Sequence, residues 1–191
     1  MKPVGVLGLQ GGYDPHLRML STLGVEAHKV STLEEINHIS GLIIPGGEST
    51  TIGKLLVLHN LLEPLRKKIQ AGLCVFGTCA GLILLSHQAE GSAQPLLNVL
   101  DVDVKRNAYG RQIYSFEAQV KLQGENLPPY MAGIFIRAPQ ITRVGSRVRI
   151  LASYEDLPVA VQQENILAAS FHPELTQDTA LHQAFLRLMK S

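Results

Sequence analysis

Short apolar segments alternate along the chain with longer segments in which apolar residues recur at helical spacing. The apolar runs predict strands over Val4–Leu9, Val25–Val30, Leu42–Ile44, Cys74–Phe76 and Leu167–Phe171. The segments with helical spacing predict helices over Pro15–Leu23, Thr50–Leu58, Leu62–Ala71, Ala80–Ser86 and Asp178–Met189. Between about Leu100 and Gln163 the pattern changes to short strands separated by hairpin-like breaks. We therefore predict an α/β fold in which helices flank a mainly parallel central sheet that carries a β-rich antiparallel extension.

Length and charge limit the kinds of protein that this chain resembles. A chain of 191 residues accommodates one well-cored α/β domain, so we expect residues 1–191 to form a single domain. The formal net charge of +1 gives no reason to expect nucleic acid as a partner, and we expect Arg143, Arg147 and Arg149 to lie on a solvated face. Two cysteines, no long apolar span and no leader-like segment predict a cytoplasmic protein with reduced thiols and no membrane partner.

An isolated thiol follows the fourth predicted strand, within Gly77-Thr78-Cys79-Ala80-Gly81. The two glycines permit the tight turn by which a strand leads into a helix, the geometry called a nucleophile elbow. Such a turn exposes the sulfur, places a helix N-terminus beneath a thiolate and directs the Ala80 N–H toward a developing oxyanion. The alternative is a buried core cysteine, which suits Cys74 in its apolar run. The flanking glycines favour Cys79 as a nucleophile.

A cysteine nucleophile requires a base, and His172 lies where the last apolar run ends, in Phe171-His172-Pro173-Glu174. Because the proline ends the strand, His172 and Glu174 lie on one side of an extended turn. This arrangement suits a base whose second ring nitrogen binds a carboxylate. The other histidines lack such a context, so we expect solvent-facing or helix-surface positions for His16, His28, His38, His59, His87 and His182. No pair of them has the spacing of a metal site.

A glycine-rich loop, Pro45–Thr50, follows the third predicted strand. The proline ends that strand, and we expect Ser49 or Thr50 to cap the next helix. The two glycines allow the backbone to approach a ligand closely and to direct N–H groups at it. A phosphate-binding loop is the alternative interpretation, but the lysine of such loops is missing. Together with the predicted nucleophile and base, the loop favours an oxyanion hole formed by the amides of Gly47 and Ala80.

These three motifs resemble those of the class I, or triad, glutamine amidotransferases, which hydrolyse the side-chain amide of glutamine and pass ammonia to a synthase partner. Each motif lies just beyond the carboxyl end of a predicted strand, where open α/β sheets bind ligands. Two further segments, Asn107–Gln112 and Gly133–Pro139, narrow the resemblance to the glutaminase subunits of pyridoxal 5′-phosphate synthase. Leu9-Gln10-Gly11 supports the same family, and the resemblance extends from the first strand to Glu174.

The resemblance implies a site and a partner. It implies a catalytic triad of Cys79, His172 and Glu174, with no cofactor and no metal. It implies that L-glutamine is bound by Gly47, Glu48, Ser49, Arg106, Ile136 and Arg137. From the residues alone, Arg106 suits a ligand contact and a surface position equally well. The partner that the resemblance implies is the (β/α)₈ synthase subunit that builds pyridoxal 5′-phosphate.

Departures from the family pattern are few. Many amidotransferases have glutamine four residues after the catalytic cysteine, whereas this chain has Ile83, as the pyridoxal family does. After Gln10-Gly11 the family usually has Glu-His, whereas this chain has Pro15-His16, so any contact made by that glutamate is lost. The glutaminase subunit of imidazole glycerol phosphate synthase is one alternative, but it usually lacks the Glu-Ser-Thr sequence. A non-catalytic interaction protein on the same fold is another, which an intact triad argues against.

Overall fold

Twelve strands and six α-helices form the part of the chain that the structure, a computed structural model, describes, residues 2–106 and 115–190. The strands are β1 (Val4–Leu7), β2 (Ala27–Val30), β3 (Gly41–Ile44), β4 (Cys74–Thr78), β5 (Ser86–Glu90), β6 (Leu100–Lys105), β7 (Ser115–Leu122), β8 (Tyr130–Ile136), β9 (Gln140–Val144), β10 (Arg149–Tyr154), β11 (Leu157–Gln163) and β12 (Ile166–Ala169). The helices are α1 (Tyr13–Thr22), α2 (Leu33–Asn37), α3 (Ser49–Leu58), α4 (Leu62–Gln70), α5 (Ala80–Leu85) and α6 (Ala180–Leu188), with a 3₁₀ turn over Pro173–Leu175.

Nine of these strands form one mixed sheet, in the order β2-β1-β3-β4-β12-β11-β10-β7-β8. The five strands from β2 to β12 in this order are mutually parallel, and the remaining neighbours pair antiparallel. The predicted α/β class, the parallel centre and the antiparallel extension are therefore confirmed. A second sheet, β5-β6-β9, was not predicted as a separate unit.

Helices cover both faces of the parallel half of the sheet because its strands are apolar on both sides. Val75 and Phe76, consecutive residues of β4, are fully buried and belong to two different core clusters. Since successive side chains of a strand point to opposite faces, β4 is buried on each side. One cluster includes residues of α3, α4 and α5, and the other includes residues of α1 and α6. The strand that leads to Cys79 is therefore held in a packed core.

Two local predictions about helices need correction. The cap of α3 is Glu48, not Ser49 or Thr50: its carboxylate accepts a hydrogen bond of 2.7 Å from the Thr51 N–H. A carboxylate at this position satisfies a free N–H and also lies at the positive end of the helix. The helix α2 was not predicted, although Thr32 and Glu35 form a capping box there.

Within the described residues, none of the helices is both long enough and apolar enough to cross a lipid bilayer. The arginines Arg143, Arg147 and Arg149 are exposed, as the sequence predicted. Arg143 also forms ion pairs with Asp101 and Asp103, so part of this basic charge is neutralised locally.

Candidate active site

Cys79 lies in the turn between β4 and α5 and has a backbone conformation that is rare for a residue with a side chain. Its φ is 50° and its ψ is −102°, outside the regions that L-residues commonly adopt. Its N–H donates a hydrogen bond of 2.8 Å to the carbonyl of Ala169, at the end of the neighbouring strand β12. The predicted elbow is therefore present, held by the sheet on one side and by the helix on the other.

The flanking glycines have the steric role that the sequence predicted. A Cβ atom at Gly77 would lie 2.7 Å from the carbonyl carbon of Gly81. A Cβ atom at Gly81 would collide with the carbonyl oxygen of Ile44, at the end of β3. Only residues without a side chain allow β3, β4 and the start of α5 to approach so closely. Cys79, between them, is buried at 7% exposure and lines the adjoining cavity.

A 3₁₀ turn follows β12. His172 is the residue that caps this turn, and Glu174 lies within it. Nδ1 of His172 lies 2.7 Å from Oε1 of Glu174, and the Cys79 side chain is near enough to His172 to raise the pKa of its imidazole. The His172 N–H donates to the carbonyl of Ile134 in β8 at 2.8 Å, which fixes the backbone of the turn. The structure therefore brings together the three residues that the sequence predicted as nucleophile, base and orienting carboxylate.

The charges in this cluster are set by burial and by short hydrogen bonds. Burial favours neutral His172, but its hydrogen bonds to Cys79 and Glu174 outweigh burial and raise its pKa to about 10. Burial alone would raise the pKa of Glu174, but the charge interaction with His16 and the hydrogen bond from His172 hold it below the ordinary range. A buried carboxylate and a readily protonated imidazole therefore lie next to the thiol.

A cavity of about 370 Å³ opens beside the Cys79 sulfur. Every site residue predicted from the sequence lines this cavity: Gly47, Glu48, Ser49, Cys79, Ala80, Arg106, Ile136, Arg137, His172 and Glu174. Pro15 and Ile83, the positions singled out by comparison with the family pattern, also line it. Its volume is at the small end of the range for ligand sites, so it suits a metabolite of amino-acid size.

Arg106, for which the sequence left a ligand contact and a surface position open, lies in the lining of the cavity. Its guanidinium donates to Oε1 of Glu48 at 3.0 Å, to Oγ1 of Thr50 at 3.1 Å and to Oε1 of Gln94 at 3.3 Å. Oε1 of Gln94 also accepts from Oγ of Ser49 at 3.0 Å. Gln94 was not predicted as a site residue, because it lies in an irregular segment without a motif.

The glycine-rich loop approaches both His172 and the segment after β1. A Cβ atom at Gly46 would collide with the imidazole of His172, so glycine is required for this approach. The Gly46 carbonyl accepts a hydrogen bond of 2.9 Å from the Gly12 N–H. Oε1 of Gln10 accepts a hydrogen bond of 2.9 Å from the N–H of Glu48. The residues after β1 therefore determine how the glycine peptide faces the cavity.

The expected surface positions of His16 and His182 are wrong. Both side chains are fully buried: Nε2 of His16 lies 3.5 Å from Oε1 of Glu174, and Nδ1 of His16 hydrogen-bonds Nε2 of His182. Burial lowers the pKa of His16, and burial lowers the pKa of His182 to about 3. The surface position of each histidine was predicted from the sequence of its own helix, whereas the neighbours that bury it include residues from distant parts of the chain. The other four histidines of that group are exposed, as predicted: His28, His38, His59 and His87.

Replacing His182 with leucine is expected to reduce the loss of stability in acid. His182 has a folded-state pKa near 3 against an ordinary 6.5, so below pH 6.5 only the unfolded chain takes up this proton. The free energy of unfolding therefore falls with decreasing pH, by about 1.4 kcal/mol per pH unit for this one group. We expect the variant to lose that slope between about pH 6 and pH 4 in urea unfolding at a series of pH values.

The matched control for this measurement is His59→Gln, a change at an exposed histidine that should leave the slope unchanged. An unaltered slope in His182→Leu would contradict the burial of a neutral imidazole at position 182.

Comparison with known proteins agrees with this geometry. Residues 6–191 match the model of the SNO glutamine amidotransferase family. The chain is 48% identical to "Pyridoxal 5′-phosphate synthase subunit PdxT" of Thermosipho africanus, covering 98% of each chain. It is also 48% identical to the protein of the same name from Carboxydothermus hydrogenoformans, covering 96% of this chain and 95% of that one.

A solved structure described as a glutamine amidotransferase superposes with a TM-score of 0.93 at 47% identity, covering 98% of this chain and 99% of the other. PurLQS from Thermotoga maritima, at 16% identity and a TM-score of 0.72, agrees in fold alone. The predicted family segment Gly133–Pro139 includes the end of β8 at the cavity, whereas Asn107–Gln112 lies outside the described residues. The chain belongs to the SNO glutamine amidotransferase family.

Proposed function

We propose that this chain hydrolyses L-glutamine to L-glutamate and ammonia and passes the ammonia to the (β/α)₈ synthase subunit that makes pyridoxal 5′-phosphate. The observation that carries the proposal is that Cys79, His172 and Glu174 line one cavity of amino-acid size, with Nδ1 of His172 2.7 Å from Oε1 of Glu174. Family membership and the printed names of the relatives support the same activity and the same partner. We also propose that residues 1–191 act as one amidotransferase domain.

The proposed reaction begins with transfer of the Cys79 thiol proton to His172. The sulfur attacks the side-chain carbonyl carbon of glutamine, and His172 returns the proton to the departing nitrogen, so that ammonia leaves. A γ-glutamyl thioester remains on Cys79. Water then attacks the thioester carbonyl, and His172 accepts a proton of the water. Glutamate leaves as the C–S bond breaks, and His172 returns the proton to the Cys79 sulfur. Glu174 orients His172 and stabilises its protonated form.

The tetrahedral intermediates carry negative charge on the former carbonyl oxygen, and we propose that the amides of Gly47 and Ala80 bind it. Ala80 is the first residue of α5, where an N–H group has no partner within the helix. The helix dipole adds positive potential at the same point. Gly47 lines the cavity beside Cys79, in a loop whose close approach depends on glycine.

Recognition of the amino-acid end of glutamine is proposed for the charged residues of the cavity lining. Arg106 and Glu48 form an ion pair of 3.0 Å there, and the pair offers a cation for the α-carboxylate and an anion for the α-amino group. Gly47 and Ser49 flank this pair in the lining. We propose that each of these residues contacts glutamine.

The backbone of Ile136 and Arg137 is proposed to complete the substrate site. The Ile136 carbonyl oxygen lies 3.9 Å from the Cys79 sulfur, so it faces the reacting end of the cavity. Arg137 has a φ of 44°, a left-handed conformation that is uncommon for a residue with a side chain. Such strain is often retained at ligand sites, where it directs a backbone group that a relaxed strand would point elsewhere.

Glutamate release by the isolated chain is expected to be slow and to rise clearly when the synthase subunit is added. The Gly46 carbonyl is bound by the Gly12 N–H, so the direction of the adjoining Gly47 N–H depends on the segment that carries Pro15. A partner that moves this segment would rotate the glycine peptide at low cost and complete the oxyanion hole. The measurement is glutamate release at equal glutamine with and without the subunit, alongside pyridoxal 5′-phosphate formation.

Cys79→Ser, which keeps the same surface, is the matched control for glutaminase contamination of the partner preparation. Full activity of the chain alone, unchanged by the partner, would refute the coupling. No complex and no pyridoxal 5′-phosphate would instead favour the glutaminase of another synthase, such as that of imidazole glycerol phosphate.

A further inference from the structure

The carboxylate of Glu174 has a second imidazole neighbour besides His172. Nε2 of His16, on α1, lies 3.5 Å from Oε1 of Glu174 and 3.2 Å from Oγ1 of Thr78. Nδ1 of His16 lies 3.0 Å from Nε2 of His182, on α6. Both of these histidines are fully buried. A polar chain therefore continues from the proposed triad into the core of the protein.

Hydrogen-bond chemistry assigns a direction to this chain. A neutral imidazole has one N–H donor and one acceptor nitrogen, and an ionised carboxylate only accepts. If Nε2 of His16 is to face Glu174 favourably, it must carry the proton, so Nδ1 of His16 is an acceptor. The only group that can then donate to it across 3.0 Å is the Nε2–H of His182. The tautomers of the two histidines are thus coupled, and a proton on Nε2 of His182 favours the tautomer in which His16 offers the carboxylate a proton, with the Thr78 hydroxyl accepting or turning aside.

The surroundings of the two imidazoles are apolar. The Phe76 ring packs edge-on against both, at centroid distances of 6.3 Å to His16 and 5.4 Å to His182. Within residues 2–106 and 115–190, Nδ1 of His182 has no hydrogen-bond partner. The hydrogen bond of the His182 ring in that part of the chain is the one from Nε2 to His16. Burying such a group is costly unless it is paired, and the pairing here leads to Glu174.

We infer that His16 and His182 are positioning residues of the proposed triad: His182 sets the tautomer of His16, and His16 holds the Glu174 carboxylate ionised and aimed at His172. The inference rests on the proposed role of Glu174. Neither histidine is among the described residues that line the cavity, so the pair acts through Glu174 and not on glutamine. Its loss should therefore change kcat and leave the KM for glutamine nearly unchanged.

The test compares His182→Leu with His182→Gln in the complex with the synthase subunit. Leucine removes the donor to His16, whereas the side-chain amide of glutamine places an N–H near the position of Nε2. We expect His182→Leu to lower kcat about ten- to a hundredfold, as loss of a group that orients an active-site ligand does. The KM should stay within about twofold. His182→Gln should recover most of the loss, and the exposed His28→Leu should change neither constant.

The pH profile separates positioning from a merely structural role. The titratable groups that act on Glu174 are His16, His172 and His182. A buried carboxylate that loses a donor takes up a proton at higher pH, so in His182→Leu the acid limb of kcat should move upward by about one pH unit. A lower melting temperature with kcat and this limb unmoved would overturn the inference.

His16→Leu is the second variant, with the same expected fall in kcat and the same shift of the acid limb. Circular dichroism identifies any variant that fails to fold. If His16→Leu fails to fold, the comparison of His182→Leu with His182→Gln tests the inference. If Cys79→Ser and Glu174→Gln are impaired while both leucine variants keep the wild-type kcat and pH profile, the pair is refuted and the triad stands. If Glu174→Gln itself keeps the full rate, the proposed triad fails, and the inference fails with it.

Discussion

Replacing Cys79 with serine is expected to abolish glutamine hydrolysis, lowering kcat by about 10⁴-fold or more. The elbow places this side chain beside His172, whose pKa is raised to about 10, so the imidazole readily holds a proton. A serine alcohol is far harder to ionise than a thiol, so the same base cannot generate the nucleophile at neutral pH. The measurement is glutamate release in the presence of the synthase subunit, with the wild-type chain alongside.

The second cysteine supplies the control for this result. Cys74 is half-buried at the start of β4, and burial raises the pKa of its thiol. Its sulfur lies 3.6 Å from the carbonyl of Leu188, away from the described residues that line the cavity. A glutamine-analogue electrophile should therefore label Cys79 and spare Cys74, and Cys74→Ser should remain active. Labelling mainly at Cys74 would refute the assignment of the nucleophile.

The elbow at Cys79 could be predicted because its determinants are local. Two glycines close to a cysteine, between two apolar runs, require a tight strand-to-helix turn wherever the segment lies in the fold. The turn after β12 is similar, because a proline places His172 and Glu174 without help from other segments. The meeting of these segments could also be predicted, because the carboxyl ends of parallel strands lie at one edge of a sheet.

The residues behind the triad were not predicted. His16 and His182 are buried by residues of β4, α1 and α6, and their hydrogen bonds join positions that are 166 residues apart. His16 shares one face of α1 with Met19 and Leu20, and His182 shares one face of α6 with Phe185, so helical spacing indicates burial. The prediction followed the usual exposure of histidine instead. Gln94 was missed for a related reason: besides the nearby Ser92, its hydrogen-bond donors are Ser49 and Thr50 of one distant segment and Arg106 of another, which the fold brings together.

The cap of α3 shows where local propensity competes with the site. Ser49 and Thr50 are favourable capping residues, yet Glu48 caps the helix and also pairs with Arg106. Ser49 is buried and donates to Gln94 instead. The glutamate therefore starts the helix and holds the guanidinium at the cavity, a double role that becomes visible once β6 has placed Arg106 opposite it.

His172→Ala is expected to remove nearly all turnover, whereas Glu174→Gln should leave a larger residual rate. Alanine deletes the group that accepts the thiol proton and returns it to the leaving nitrogen, a loss of about 10⁴-fold or more. Glutamine keeps the size of Glu174 and one oxygen for Nδ1 of His172, 2.7 Å away in the wild-type chain. The fall in turnover of Glu174→Gln should be smaller than that of His172→Ala by about one to two orders of magnitude, because the base itself remains.

The pH dependence of Glu174→Gln provides a second measurement with a defined sign. Because Glu174 helps to raise the pKa of His172 from 6.5 to about 10, removing its charge should lower that pKa. The alkaline limb of kcat/KM should then move to lower pH.

His172 also links stability to pH. Protonated His172 stabilises the fold fully below about pH 6.5, and this stabilisation is lost as the pH rises through about 10. Glu174→Gln should therefore show a weaker decline of stability over that range, and wild-type rates in both variants with saturating partner would refute the triad.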